Sequence, residues 1–369
     1  MSWRLEGLDD GRFWSNLLAS GEPWLDEMKG CAQDPHFHAE GDVFTHVEMV
    51  CGELSKLPEY LSLSPADKQV VAWAAALHDV AKPHCTITDP DGRIRSPGHA
   101  SKGALTARRL LWQRNCPFDI REEVCGLVHY HMKVFWALEQ EEPARLARRV
   151  SLRCRPRLLA LLAQADALGR YCPDAQDLLQ RVELFRLLCQ ENECYEKPAQ
   201  FASDLCRLRY LDGRWHNPEI APFEEFRCEV VLLSGLPGSG KDTWIKEQGP
   251  RWPVVSLDAI RQELKIHPTA NQGAVINLAR DRAREYLRAK QNFIWNATNL
   301  SLLVRRKCLS LFFEYGARVR IVYLEKPPAV LEQRNQDREH CVPWKAIDTM
   351  VRKWDVPLLT EAHQVEYCV

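Results

Sequence analysis

The run Gly235-Leu236-Pro237-Gly238-Ser239-Gly240-Lys241-Asp242-Thr243 follows the apolar residues Val230-Val231-Leu232-Leu233 after a single serine, Ser234. It constrains the fold more than any other feature, because it reads as a strand, a tight turn and a helix in succession. Gly235, Gly238 and Gly240 permit backbone angles that a Cβ would forbid, so the turn can aim its N–H groups inward at anionic oxygens. A helix beginning near Lys241 adds the positive end of its dipole, and Lys241 itself brings a mobile full charge. Against the pattern G-x-x-x-x-G-K-[ST] the match is complete to the lysine and then departs, with Asp242 at the hydroxyl position and Thr243 one later. The spacing predicts a phosphate cradle over 235–243, with Pro237 and Ser239 in it. A carboxylate at Asp242 repels a β-phosphate when no cation is bound and holds Mg²⁺ when one is; the second use is the expectation.

From Cys228 onward, short apolar runs alternate with amphipathic stretches. Strands are predicted over 229–233, 253–257, 293–296 and 318–324, and helices over 241–247, 272–290, 302–315 and 329–336. This rhythm predicts a parallel sheet with crossover helices, whose ligands lie beyond the C-terminal strand ends. Asp258 is placed there to accept a proton from an attacking hydroxyl, and Arg261, about one helical turn on, to grip a neighbouring phosphate. The plain structural use of Asp258 is a helix N-cap. Thr298 and Asn299 mark another strand end and are expected to line the same cleft, with Asn299 binding substrate; many phosphate-cradling enzymes carry an acid here, but Asn296 replaces it, and Asp242 is expected to supply the charge instead. Arg334 and Arg338, four apart, share a helix face suited to a lid over transferring phosphate. Their structural use is a salt-bridged face with Glu332 and Asp337.

The first 200 residues read as mostly helical. Residues 67–81 are apolar, Ala-rich and free of Gly and Pro, which predicts a buried helix; residues 100–115 and 157–168 also carry helical spacing. This half offers His46, then His78-Asp79, His99, His129 and Asp166. Neutral imidazoles and carboxylates suit divalent transition metals, and a carboxylate at Asp79 can bridge two of them. His129 and His131 point apart on a helix, so only one is expected to be a ligand, and His129 is chosen. Lys82, one turn beyond His78, is placed to meet a substrate phosphate or, as a structural group, to sit solvated at a helix end.

The length allows two domains. Boundaries are expected at 1–34 (a helical extension), 35–200, a linker over 201–226 with Trp215 to Phe226 at its heart, and 227–369 with a C-terminal lid. The 14 cysteines include no C-x-x-C pair, so they are expected as buried small hydrophobes. No apolar stretch suffices to span a bilayer, and charges interrupt the N-terminus where a signal peptide needs an apolar core; the expected location is cytoplasmic. With a net charge of −1, global attraction to nucleic acid is weak. Arg145, Arg148, Arg149, Arg153, Arg155 and Arg157 form a basic stretch that reads either as a solvated face or as a phosphate-backbone surface.

The G-L-P-G-S-G-K-D-T-W run, D-x-x-R at Asp258 and Arg261, A-T-N and the paired lid arginines resemble the 5′-OH polynucleotide kinase family over most of residues 228 to 369. That resemblance implies Asp258 as general base and Arg261 as a contact to a substrate phosphate. The order H…HD…H…H…D, with L-H-D-V-A-K-P and the His38 to His46 run, resembles the HD phosphohydrolase superfamily over roughly 35 to 170, particularly the HD domains of bacterial tRNA nucleotidyltransferases. It implies His46, His78, Asp79 and Asp166 around one metal, and His99, His129 and Asp79 around a second.

Joined in this order, the halves resemble the bacterial bifunctional HD-Pnk family of RNA end-healing enzymes. The implied fold is an all-α HD-type domain followed by an α/β P-loop kinase domain. The implied activities are removal of 2′,3′-cyclic phosphate and 2′- or 3′-phosphate ends, and transfer of the γ-phosphate of ATP or another NTP, with Mg²⁺ or Mn²⁺, to 5′-OH ends. Implied partners are nucleic-acid ends, RNA favoured, and a ligase in the same pathway. Two other readings stay open: a nucleotide or nucleoside kinase joined to a nucleotidase or cyclic-nucleotide phosphodiesterase, and an RNA-end sensor with catalysis lost.

Overall fold

The computed structural model describes residues 2–337 and 341–369 and divides into two compact units, Met1–Gln200 and Phe201–Val369. The first unit is helical, and its helices are α1 (Phe13–Ala19), α2 (Pro23–Met28), α3 (Val43–Leu54), α4 (Pro58–Leu61), α5 (Pro65–Leu77), α6 (His99–Gln113), α7 (Phe118–Tyr130), α8 (Pro143–Ser151), α9 (Pro156–Leu168) and α10 (Ala175–Glu191). A short hairpin of β1 (Ile87–Thr88) and β2 (Ile94–Arg95) interrupts them.

Helix α5 is central and packs against α3, α7 and α9. Every residue from Lys68 to Leu77 is buried, as the missing Gly and Pro and the alanine content require of an all-round contact helix. It starts sharply, with Ser64 capping the Asp67 N–H and Pro65 at the first position. It ends at Leu77, four residues before the predicted end, and the chain turns into a 3-10 segment at Lys82–His84. Residues 1–34 do not stand apart: Leu5 exchanges hydrogen bonds with Gln69, and Trp73 donates to the Trp3 carbonyl.

The second unit opens with α11 (Asp204–Leu211), followed by β3 (Cys228–Ser234), α12 (Lys241–Glu247), β4 (Val254–Ser256), α13 (Leu257–Glu263), α14 (Gly273–Arg288), β5 (Phe293–Asn296), α15 (Leu302–Glu314), β6 (Ala317–Leu324), α16 (Pro328–Gln336), α17 (Trp344–Val351) and β7 (Gln364–Cys368). The strands form one parallel sheet in the order β4-β5-β3-β6-β7. Alternate residues face opposite layers. Val230, Leu232, Phe293, Trp295, Val319 and Ile321 pack beneath α13, α14 and α15, while Val231, Leu233, Ile294, Val322 and Leu324 pack with Trp244 of α12. Because β3 is central and its neighbours were laid down in opposite directions, the crevice at its C-terminal end is the switch point of the sheet.

Two expectations need correction. The 201–226 linker is not free chain: Arg207 of α11 donates to the carbonyls of Leu359, Ala362 and His363, so this helix belongs to the second unit. Only the stretch after it lacks helix and strand. The fifth strand, β7, was not expected. It is an edge strand with no fully buried residue, so it lacks the apolar signature of its neighbours.

Candidate functional site

In the first unit, three histidines share one local device. His78, His99 and His131 each donate Nδ1–H to the carbonyl three residues earlier, Ala75, Ser96 and Val128, at 2.8 Å each. His46 places Nδ1 between two acceptors, the Gly169 carbonyl at 3.1 Å and Glu40 Oε1 at 3.0 Å. Carbonyls and carboxylates only accept, so the proton of each neutral ring is fixed on Nδ1 and each Nε2 presents a lone pair. Gly169 makes the approach possible, since a Cβ there would lie 2.6 Å from Val50 Cγ2 and 2.7 Å from the Val50 backbone.

The four lone pairs converge. His46 Nε2 lies 3.3 Å from His78 Nε2, and His99 Nε2 lies 3.3 Å from His131 Nε2. Asp79 sits among them, with Oδ2 at 3.3 Å from His78 and 3.8 Å from His46, and Oδ1 at 3.4 Å from His99 and 3.8 Å from His131. Asp166 Oδ1 lies 3.2 Å from His46 Nε2 and also pairs with Arg170. Asp79 Oδ1 and Asp166 Oδ2 are buried without a hydrogen-bond partner. Facing lone pairs and orphaned carboxylate oxygens repel one another unless a cation lies between them, so the donor set fits divalent metal. The sets His46, His78, Asp79 and Asp79, His99, His131 are each close enough to share one ion.

Charge in the pocket is nearly balanced. Burial alone would push the Asp79 and Asp166 carboxyls up, but Lys82 and His78 hold Asp79, and Arg170 and His46 hold Asp166, well below the usual carboxylate range. Burial lowers His78, yet the Asp79 carboxylate outweighs it and the imidazole is raised. Burial, with the neighbouring imidazoles His78 and His99, pushes His131 down to about 3. Lys82 is buried and donates to Asp79 Oδ2 at 2.7 Å and to Gln33 Oε1 at 2.6 Å, so it is no solvated helix end.

His131 therefore stands where His129 was expected. The α-helix ends at Tyr130 and passes into a 3-10 turn at His131–Lys133. That change of pitch turns the His131 ring into the cluster. His129 packs edge-on against Tyr130, and burial beside Arg153 drops it to about 3. Also not evident beforehand are Gln33, Glu40, His38, which bonds Glu40 at 2.8 Å, and Arg170. Arg170 carried a readable signal, four residues after Asp166 and just past the end of α9, and His38 and Glu40 lie in the His38 to His46 run.

In the second unit the glycine turn closes at the C-terminal end of β3. Gly235 N–H donates to the Thr298 carbonyl at 2.9 Å. Gly235 has φ 156°, and a Cβ there would lie 2.4 Å from the Leu324 carbonyl oxygen and 2.6 Å from Ser239 Oγ. Ser239 is 1% exposed and its Oγ has no partner, an orphaned donor inside the loop. Lys241 Nζ reaches back to the carbonyls of Gly235 and Leu236 at 2.8 and 3.0 Å. The glycine turn, the orphaned hydroxyl and the ammonium beside them are a set of groups that suits a polyphosphate. Arg334 joins them: its Nη1 lies 3.4 Å from the point a Cβ on Gly240 would occupy. Arg338 lies outside the described residues.

Asp258, in the first turn of α13, forms an ion pair with Arg261, which also donates to Gln272 Oε1 at 2.8 Å. The helix cap is Ser256, accepting from the Ala259 N–H, so Asp258 is left for another use. Asn296 Nδ2 donates to Asp242 Oδ1 at 2.8 Å. Asn299 corrects an expectation. It is 2% exposed, takes φ 44°, and its Nδ2 donates to the Leu233 carbonyl at 2.6 Å. It ties the β5–α15 loop to β3 and does not face a substrate. Arg305, paired with Glu361, braces the same loop through the Asn299 carbonyl at 3.1 Å. In the basic stretch, Arg155 is paired with Asp67 and Glu123, and Arg157 with Glu59 and Glu196, so these two are not available to a backbone phosphate.

Comparison with known proteins agrees with both geometries. An HD domain model matches residues 43–170, and an AAA domain model matches residues 230–357. The chain joins an HD domain to a P-loop kinase-like domain. The Multifunctional CCA protein of Halorhodospira halophila is 31% identical over 34% of this chain and 28% of its own length. The A-adding tRNA nucleotidyltransferase of Deinococcus radiodurans is 31% identical over 60% of this chain and 44% of its own. The L-seryl-tRNA(Sec) kinase of Methanococcus maripaludis is 24% identical over 35% of this chain and 53% of its own. The chain thus spans less than half the length of the first two of these relatives. Among the described residues, no helix is long and apolar enough to cross a membrane.

Proposed function

We propose that this protein heals RNA ends, with a metal-dependent phosphohydrolase in the HD unit and an NTP-dependent 5′-hydroxyl kinase in the P-loop unit. The observation that carries the reading is the pairing, in one chain, of a buried imidazole–carboxylate cluster with a phosphate cradle. Cleaved RNA can carry a 2′,3′-cyclic phosphate on one side and a 5′-OH on the other, and the two chemistries convert both. The names of two relatives, a tRNA nucleotidyltransferase and a seryl-tRNA kinase, support an RNA substrate.

In the HD unit, His46, His78, Asp79, His99 and His131 would hold divalent cations, with Asp166 beside them. Such a cation supplies Lewis-acid activation of water and of phosphate oxygen. The residues' own contribution is electrostatic. Three carboxylates, Glu40, Asp79 and Asp166, stand against Lys82 and Arg170. One divalent ion tips that balance positive and makes the pocket attractive to a phosphate ester. Lys82, beside Asp79, would turn to a non-bridging oxygen of the substrate.

In the P-loop unit, Lys241 and Arg334 would neutralise the transferring phosphoryl group, and Asp258 would accept the proton of the 5′-OH. Arg261 now pairs with Asp258; transfer of its guanidinium to a substrate phosphate frees the carboxylate as the acceptor arrives.

The test is an RNA bearing 5′-OH and 2′,3′-cyclic phosphate ends, incubated with ATP and a panel of divalent ions, with both termini analysed. Conversion of both ends is expected. His78→Ala is expected to abolish phosphate removal and spare the kinase, and Lys241→Ala to do the reverse; loss of both activities from either change in a folded protein refutes separate sites. A second reading follows from the seryl-tRNA kinase relative, in which the acceptor hydroxyl is borne by a charged tRNA. Phosphate transfer to seryl-tRNA and not to a 5′-OH oligonucleotide or free nucleoside would select it.

A further inference from the structure

P-loop phosphotransferases hold the cation of a bound nucleotide between a Ser or Thr hydroxyl directly after the loop lysine and an acid from a neighbouring strand. Here both positions are altered. Asp242 follows Lys241, and Asn296 ends β5 beside the loop. The two altered residues, 54 apart in sequence, touch: Asn296 Nδ2 donates to Asp242 Oδ1 at 2.8 Å.

The contact is set by the sheet. Asn296 is 8% exposed and held in register with Leu233 of β3 and Ser256 of β4, which puts its amide at the strand end beside Asp242. Only the NH₂ of the amide can donate to a carboxylate. The bond holds one oxygen of Asp242 and restricts the rotation of the carboxylate. Among the described residues, Oδ2 makes no hydrogen bond or ion pair. Ser239, buried and with an unpartnered Oγ, marks the adjoining interior of the loop as built for a polar ligand.

We propose that Asp242 is the carboxylate ligand for the divalent cation of a bound nucleoside triphosphate, and that Asn296 is the positioning residue that aims it. The acidic and neutral roles are exchanged between loop and strand end, with the number of carboxylates at the cation unchanged. This rests on the nucleotide-binding reading of the loop.

The experiment titrates a non-hydrolysable ATP analogue, AMPPNP, into the full chain by calorimetry, in Mg²⁺ and in EDTA, and reads the ratio of the two affinities. For the unsubstituted protein Mg²⁺ is expected to strengthen binding by about tenfold or more. Asp242→Ser is expected to bring the ratio to near one, with the affinity in EDTA rising because the carboxylate that repels the β-phosphate is gone. Asp242→Ser combined with Asn296→Asp is expected to restore the ratio, because the acid returns from the strand. A wild-type ratio in Asp242→Ser overturns the proposal, as does failure of the double variant to exceed the single one. If Asp242→Ser does not bind in EDTA, the isosteric Asp242→Asn gives the same readout. An unsubstituted chain that binds no nucleotide in either condition overturns the loop reading itself, which separates the two failures.

Discussion

Asp79→Asn tests the HD cluster at its shared member. Asp79 is 1% exposed and belongs to two of the candidate cation sets. The substitution keeps the shape and removes the charge. Without metal, its main effect falls on Lys82, whose ammonium loses its charged partner at 2.7 Å and is left with neutral acceptors, Gln33 among them. Breaking a buried pair from one side costs about 3–5 kcal/mol, and the retained Gln33 bond puts this case near the lower end, at about 3 kcal/mol. For a unit of this size, Met1–Gln200, each kcal/mol moves Tm by about 2–4 °C, so the metal-free transition should drop by about 6–12 °C. In the unsubstituted chain, Mn²⁺ at a hundred times its Kd should add about 2.7 kcal/mol, a rise of about 5–11 °C; in the variant that rise should vanish. Calorimetric unfolding of the full chain in EDTA and in Mn²⁺ measures both effects. The transition of Phe201–Val369 serves as an internal control that should stay in place. A variant as stable as the original in EDTA would mean that Lys82 does not depend on Asp79. A retained Mn²⁺ response would mean that the cluster is not the metal site.

Three further outcomes are expected. His131→Ala should abolish phosphate removal, whereas His129→Ala should retain it within about tenfold; the opposite order would refute the placement of the two rings, read by release of phosphate from a 3′-phosphorylated RNA. Gly235→Ala should eliminate nucleotide binding without moving the transition of the first unit, since a Cβ 2.4 Å from the Leu324 carbonyl cannot be accommodated by side-chain motion alone; AMPPNP titration checks it. His363, buried and accepting the Val319 N–H on Nδ1 at 3.0 Å, must stay neutral, and burial with Arg318 nearby pushes it down to about 4 from 6.5. Its stabilising contribution is therefore complete above pH 6.5 and is lost as pH falls toward 4. The loss is about 3 kcal/mol in total at about 1.4 kcal/mol per unit, and denaturant midpoints of the second unit at pH 7.5 and 5 should show a slope that His363→Asn removes.

What was legible beforehand follows from what is local. The predicted strand 293–296 and helix 241–247 are found with those bounds, because a buried strand and a glycine-capped helix are decided by a few adjacent residues. The His78-Asp79 pair and the Gly235–Lys241 turn were readable for the same reason. The edge strand β7 was not, since one-sided burial leaves no continuous apolar run. Nor was the choice between His129 and His131, which depends on a pitch change at the end of α7 that residue spacing does not encode.

The sequence by itself determined the two unit types, the loop that cradles phosphate and most of the imidazoles and acids of the cluster, because glycine angles, helical periodicity and ligand chemistry act within a turn or two of chain. Tertiary structure decided which lone pairs meet, that Glu40 and Arg170 flank them, that Asn299 is a brace, and that Asn296 holds Asp242. Those outcomes depend on sheet register and helix packing, which bring together groups such as His46 and Gly169, 123 residues apart, and no local pattern carries that distance.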